Sequence, residues 1–327
     1  MDHILNRELP VLIPNWKGNP FDGTQFHYTG KAFTPAFSQL LKWQFSANPQ
    51  RAEKKADTWR PEVRPLDLRS LDKSGNWLVW LGHATFLIQL NGLRFVTDPV
   101  LYNVSILKRL SPLPLAPELL SDIDYILLSH DHRDHCDVKS LRLLTQNNRT
   151  TILTSLLMGK LIRPWIGQTP VQEAAWFQAF SIPHKQLEII YLPSQHWCRR
   201  GLTDFNRRLW GSFLLRSPDA TIYFGADSAT GDHFAEIGHH FEGIDLAILG
   251  IGAYKPDYMM SEVHTNPEET AAAFQQLQAR KMLPMHHGTF DLSDEPVSEP
   301  QRRLHAVFEN GRRHQLIAPA IGEVVRL

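Results

Sequence analysis

The chain has 327 residues, 43% of them hydrophobic and 21% charged, which excludes global disorder and allows a substantial core. Lys plus Arg and Asp plus Glu balance at 34 each, which argues against a nucleic-acid binder that relies on bulk positive charge. The two cysteines, Cys136 and Cys198, imply no disulfide framework and fit a reducing compartment, each read as a buried free thiol.

Residues 1–70 differ from the rest and read as an N-terminal extension packing on the core. They carry Pro10, Pro14, Pro20, Pro35 and Pro49, the aromatic residues Trp16, Phe21, Phe26, Tyr28, Phe33 and Phe37, and the charged run Arg51–Lys55. Ser38–Phe45 predicts a short helix, and the aromatic residues fit core packing better than a membrane surface. Met1–Glu8 lacks a signal-peptide pattern, and no apolar run is long enough to span a bilayer. The expectation is a cytoplasmic protein, with peripheral contact at the inner face of a membrane and homodimer formation left open.

Trp77–Leu81 and Gly82–Leu90 read as strand segments, and Asn91-Gly92 is a strong type I′ hairpin signal before Leu93–Thr97. Leu101–Leu120 is rich in leucine and broken by proline, which excludes one long helix. A lid, a lipid-facing groove and ordinary core packing all fit that stretch. The apolar strand Tyr125–Leu128 then delivers Ser129-His130-Asp131-His132-Arg133-Asp134-His135. Neutral imidazole suits zinc, and carboxylates bind zinc and harder cations. In extended backbone, side chains at i and i+2 point the same way, so His130 and His132 can grip one metal. Asp134 and His135 can reach a second, while Asp131 and Arg133 point elsewhere.

Val138–Gln146 predicts a helix and Thr151–Thr154 a strand. Leu187–Leu192 is a strand ending at Gln195-His196-Trp197. Arg199, Arg200, Arg207 and Arg208 follow closely; they read either as a solvated, ion-paired loop or, for Arg199, Arg200 and Arg207, as contacts to an anionic substrate group. Ser212–Leu215 and Thr221–Phe224 form an expected hairpin that delivers Ala226-Asp227-Ser228. His233, His239 and His240 read as helix or surface residues. After the strand at 245–253, Asn266, Pro267 and Glu269 make a capping signature for a helix running to about Arg280. Lys281–Met285 delivers His286-His287-Gly288-Thr289-Phe290, and His314–Val325 predicts a closing strand pair.

The His-x-His-x-Asp-His motif after an apolar strand resembles the metallo-β-lactamase superfamily, whose fold is an αββα sandwich of two mixed sheets flanked by helices. Gly82-His83-Ala84-Thr85, Gln195-His196-Trp197, Leu209-Trp210-Gly211-Ser212-Phe213, Ala226-Asp227, His264-Thr265-Asn266-Pro267 and His286-His287-Gly288-Thr289 resemble its N-acylphosphatidylethanolamine-hydrolysing phospholipase D branch and bacterial relatives. The resemblance covers about residues 75–295, within an expected hydrolase domain at 71–327. It implies two Zn²⁺ per chain, with iron or manganese as substitutes. It assigns the first metal to His130, His132 and His196, the second to Asp134, His135 and His286, and the bridge to Asp227. Asp98 and His83 would support the ligands, His264 would act on substrate, and Asp134 would also accept a proton.

The implied reaction is phosphodiester hydrolysis of an N-acylphosphatidylethanolamine-like lipid by a hydroxide held between the two metals. Alternatives are a lactonase or soluble phosphodiesterase on a polar small molecule, and a metal-binding protein without turnover. The expected partner is a phospholipid or another small ester, and not nucleic acid.

Overall fold

The computed structural model describes residues 1–28, 37–72, 74–147, 149–183, 186–309 and 311–327. Phe33 and Pro35 lie outside them. Among the described residues, β1 (Asp2–Ile4) and β2 (Asn19–Phe21) form a small antiparallel pair, followed by α1 (Phe37–Phe45) and α2 (Arg51–Ala56).

The first large sheet begins with β3 (Trp77–Gly82), β4 (Thr85–Leu90) and β5 (Leu93–Thr97), joined antiparallel. Asn91 and Gly92 both take positive φ, 52° and 79°, as a type I′ turn requires. β6 (Tyr125–Leu128), β7 (Thr151–Ser155) and β8 (Val171–Ala174) extend the sheet in parallel, with α3 (Val138–Leu144) and α4 (Met158–Ile166) as crossovers.

The second sheet runs β9 (Gln178–Ala179), β10 (Glu188–Leu192), β11 (Ser212–Arg216) and β12 (Thr221–Phe224), all antiparallel. After α5 (His233–His240), β13 (Leu246–Gly250) joins in parallel. After α6 (Asp257–Met260) and α7 (Pro267–Gln276), β14 (Lys281–Met285) closes that sheet. The chain ends with α8 (Glu299–Phe308) and β15 (Val324–Arg326), which returns to pair with β3.

The period of two along β3 divides the core. Leu78 and Trp80 face the second sheet and join a cluster with Ile189, Phe213 and Phe224. Trp77, Val79 and Leu81 face the other way, onto Leu141 of α3 and Met158 and Ile162 of α4. Phe234, Phe274 and Phe308 bring α5, α7 and α8 into the first cluster. Two mixed sheets with helices outside make an αββα sandwich, in which every residue of β3, β4 and β6 is buried. Such two-faced burial explains why these strands read as continuous apolar runs.

Two expectations are corrected here. The helix after Asn266 ends at Gln276, and Gln278 turns left-handed at φ 55°, so the helical path stops before Arg280. The closing strand pair at 314–325 is instead a short turn, two isolated bridges, Leu316 to Met282 and Ile321 to Val63, and the single strand β15. Pro319 cannot donate to a ladder, and Gly322 lies at φ 87° where a Cβ would come within 2.0 Å of the Arg64 carbonyl.

The N-terminal region reaches across both sheets. Leu12 N donates to the Phe177 carbonyl, Ala179 N to that of Pro10, and Arg64 N to that of Ile321. Gln178 Nε2 donates to the carbonyls of Asn6 and Leu9. Phe26 is buried in the main cluster, whereas Trp16, Phe21 and Tyr28 are half-buried against it.

Candidate metal centre

The parallel segments of both sheets point their C-terminal ends to one edge, and the functional loops leave from there. β6 delivers His130–His135, β10 His196, β12 Asp227 and β14 His286. The β3–β4 turn adds His83, and the end of β5 adds Asp98. His83, Asp98, Ala226 and His286 all take positive φ, between 32° and 60°. A non-glycine residue in that region costs about 1–3 kcal/mol, so packing must hold these four in place to aim their neighbours.

Two groups of donor atoms meet there. His130 Nε2 lies 3.0 Å from His132 Nδ1, which lies 3.1 Å from His196 Nε2. Asp227 Oδ2 closes this group at 3.9 Å from His130 and 3.6 Å from His196. In the second group, Asp134 Oδ2 lies 3.6 Å from His135 Nε2 and 3.5 Å from His286 Nε2. Asp227 faces this group too: Oδ2 is 3.1 Å from His135 and Oδ1 3.2 Å from His286. One carboxylate therefore touches both groups.

The surrounding hydrogen bonds set the ring tautomers. Asp98, wholly buried, accepts from Ser129 N at 2.7 Å and Ser129 Oγ at 2.6 Å. Because the Ser129 hydroxyl proton goes to Asp98, His130 Nδ1–H donates to Ser129 Oγ at 2.8 Å. His135 Nδ1–H donates to Asp98 at 2.8 Å, and His196 Nδ1–H to the Val263 carbonyl at 2.9 Å. In the neutral rings this leaves the Nε2 lone pairs of His130, His135 and His196 turned inward.

Buried His132 Nε2, His135 Nε2, Asp227 Oδ1 and both nitrogens of His286 have no hydrogen-bond partner among the described residues. Lone pairs this close repel each other without a positive charge between them. Ligands about 2.0–2.1 Å from a common tetrahedral centre stand about 3.3 Å apart, close to the spacings here. The donor set fits divalent cations held by nitrogen and carboxylate, including zinc, iron and manganese.

Burial lowers the pKa of His132 to about 4 and of His196 to about 3, and holds His130 well below the ordinary value. These three are neutral imidazoles, the ligating form. For Asp227 and Asp134 burial acts upward, but the facing His135 and His286 outweigh it and hold both carboxyls well below their usual range. Correspondingly, burial opposes but Asp227 and Asp134 prevail in raising His135 well above its usual value and His286 to about 9.

A protein-family model described as "Beta-lactamase superfamily domain" matches residues 93–287. The chain is 31% identical over 322 residues to N-acyl-phosphatidylethanolamine-hydrolyzing phospholipase D 1 of Caenorhabditis elegans, covering 92% of this chain and 86% of that protein. The chain belongs to the metallo-β-lactamase superfamily, in its phospholipase D-like branch. It is thus a metal-dependent hydrolase of that superfamily. The mitochondrial N-acyl-phosphatidylethanolamine-hydrolyzing phospholipase D of Saccharomyces cerevisiae is 34% identical over 257 residues, covering 75% of this chain and 54% of that protein. The crystal structure of a possible metal-dependent hydrolase from Veillonella parvula DSM 2008 superposes with a TM-score of 0.63 at 15% identity, over 77% of this chain and 100% of that one, which shows the metallo-β-lactamase fold.

Around these two donor groups, the remaining candidates fall at graded distances. His83 Nε2 donates to Asp134 Oδ2 at 3.1 Å, and its ring centroid lies 4.0 Å from that of His286, the planes tilted by 44°. His264 is partly exposed, with Nδ1 3.9 Å from Asp227 Oδ2. Arg199 donates to the carbonyls of Gly201 and Leu202, and Arg200 to those of Asp131 and Cys136, so both brace backbone; Arg207 is exposed. Cys136 and Cys198 are buried free thiols, and burial pushes Cys136 up to about 12.

Sequence reasoning missed Ser129 and Arg208. Ser129 links Asp98 to His130, and its only signal was its place before the motif. Arg208 is the one of the four arginines whose guanidinium pairs with the Asp131 carboxylate, at 2.6 Å, and it also bonds Asp204.

Leu101, Leu115 and Leu120 are core residues, but Ile106 is 91% exposed. The loop at 101–109 borders a groove of about 640 Å³ with Arg133, Lys139 and Arg200. Leu202, two residues after Arg200, is 90% exposed. Among the described residues no helix is long and apolar enough to cross a membrane.

Proposed function

We propose that this hydrolase is a dinuclear phosphodiesterase of phospholipase D type, acting on N-acylphosphatidylethanolamine-like lipids to give phosphatidic acid and an N-acylethanolamine. The observation that carries the reading is Asp227, one buried carboxylate whose oxygens face both donor groups. His130, His132 and His196 would hold one cation; Asp134, His135 and His286 would hold the other; Asp227 would bridge them. Bound divalent cations supply Lewis acidity and lower the pKa of a water toward neutrality.

The chain's own groups do the rest. Asp134 is fixed by His83 and presents a carboxylate beside the donor groups, suited to accepting a proton. His264 stands at the open side and can orient a substrate oxygen or stabilise charge on it. Exposed Arg133 and Lys139, with half-buried Arg200, line the neighbouring groove and offer positive charge to a phosphate headgroup. Exposed Ile106 and Leu202 offer apolar contact to a bilayer surface. The names of the worm and yeast relatives support the lipid class.

The test is metal content of the purified protein, followed by hydrolysis of an N-acylphosphatidylethanolamine and a panel of lactones and soluble diesters. About two metals per chain with release of phosphatidic acid supports the proposal. Turnover confined to lactones would overturn the substrate assignment and keep the centre.

A further inference from the structure

The N-terminal region and the loop after Asp227 enclose a second cavity, of about 330 Å³. Trp16, Tyr28 and Trp176 supply aromatic walls. The Trp16 and Trp176 centroids lie 6.4 Å apart at 31°, and Tyr28 meets Trp176 edge-on at 5.6 Å and 76°. Rings at such mixed angles wall a small volume from several sides. Asp232, at the N-terminal boundary of α5, and Glu236, one turn later, line the same cavity and are exposed. Burial, together with the charge of Glu236 and Asp232, raises the Tyr28 hydroxyl above its ordinary range, which sets those carboxylates near the aromatic wall.

Two buried polar atoms at this cavity have no hydrogen-bond partner among the described residues: Trp16 Nε1 and His233 Nδ1. The His233 ring is 3% exposed. Ser228 Oγ accepts from Gln195 N at 3.0 Å and donates to the Ala229 carbonyl at 2.9 Å. Its remaining lone pair takes His233 Nε2–H at 3.0 Å, so Nδ1 is left as an acceptor. Gly231 packs closely beside it, and a Cβ there would come within 2.8 Å of Nδ1. The cavity thus combines π faces, negative charge, one unused donor and one unused acceptor.

We propose that this cavity binds a small organic ammonium ion of amino-alcohol type, free or as a phosphodiester headgroup. The cationic nitrogen sits among the faces of Trp16, Tyr28 and Trp176, with Asp232 and Glu236 as counter-charge. A ligand N–H or O–H donates to His233 Nδ1, and Trp16 Nε1–H donates to a ligand oxygen. The site is joined to the metal centre through Ser228, which follows Asp227, and Gln195, which precedes His196. It does not depend on which ester the hydrolase cleaves.

The test titrates choline chloride and ethanolamine hydrochloride into the metal-loaded full chain, read by tryptophan fluorescence and calorimetry. The control is the neutral isostere of choline in which carbon replaces nitrogen. Saturable binding of an ammonium probe, with the isostere unbound, is expected. The exposed double variant Asp232→Asn/Glu236→Gln should bind about five- to tenfold more weakly, with unchanged circular dichroism. Trp16→Leu should lose both the binding and the fluorescence response. Dihexanoyl phosphatidylcholine below its micelle threshold distinguishes the sources: tighter binding than choline marks a lipid headgroup, and weaker binding marks a free amino alcohol. Equal binding of the isostere, full affinity in the double variant, or no saturation with any ammonium probe would overturn the proposal.

Discussion

His135 Nδ1 donates to Asp98 Oδ2 across 2.8 Å, and neither side chain has any exposed surface. The two oxygens of Asp98 also accept from Ser129, whose hydroxyl in turn receives His130 Nδ1–H. One carboxylate therefore fixes the rings of two proposed ligands, one in each donor group.

It follows that Asp98→Asn should weaken metal binding at both positions, by about 10–100-fold, as removal of such supporting groups does elsewhere. Competition with a chromophoric chelator measures it. Unchanged affinity would mean that packing alone orients His130 and His135.

Asp227→Asn probes the bridge itself. The amide cannot supply two anionic oxygens, so metal content should fall and turnover should drop by more than about a hundredfold. Chelation of the native protein should give the same loss, reversible on adding metal, together with a lower melting temperature, because ligand binding to the native state stabilises it. Full activity in this variant would refute the dinuclear assignment.

The metal loop was readable because its signals are local. An apolar strand followed by His-x-His-x-Asp-His combines a period of two with ligating chemistry, and Asn266 with Glu269 forms a complete capping box. The Asn91-Gly92 turn is also local. What escaped depends on tertiary contact. Arg208 lies 77 positions from Asp131, and nothing in the run of arginines marks it as the buried one. α8 and α4, the latter with Pro164 inside it, earned no expectation because their apolar faces become meaningful only against the sheets. The fate of residues 314–325 turned on Gly322 packing against Arg64, a residue from the far end of the chain.

Arg208 and Arg207 should separate by stability rather than by chemistry. Asp131 is fully buried, and Arg208 donates to it at 2.6 Å; Arg207 is exposed. Arg208→Ala leaves a buried carboxylate without its cation and should cost about 3–5 kcal/mol. Arg207→Ala should stay within about 0.5 kcal/mol, as exposed substitutions do. Urea unfolding of both variants decides it, and equal stabilities would remove Arg208 as the loop's anchor.

Ile106 and Leu202 project from two loops that lie beside one basic groove, each about nine-tenths exposed at 91% and 90%. Aliphatic side chains at loop tips gain about 1.5–3 kcal/mol each when buried, and the flanking cations add attraction to anionic lipid. Neither side chain contributes to the core, so Ile106→Ser and Leu202→Ser should leave folding intact. Each should lower hydrolysis of vesicle-borne substrate about tenfold or more, while turnover of a soluble short-chain diester stays the same. Vesicle co-sedimentation should fall in parallel. Parallel loss on both substrates would place these residues in the chemistry, and no loss on vesicles would remove this face as the point of membrane contact.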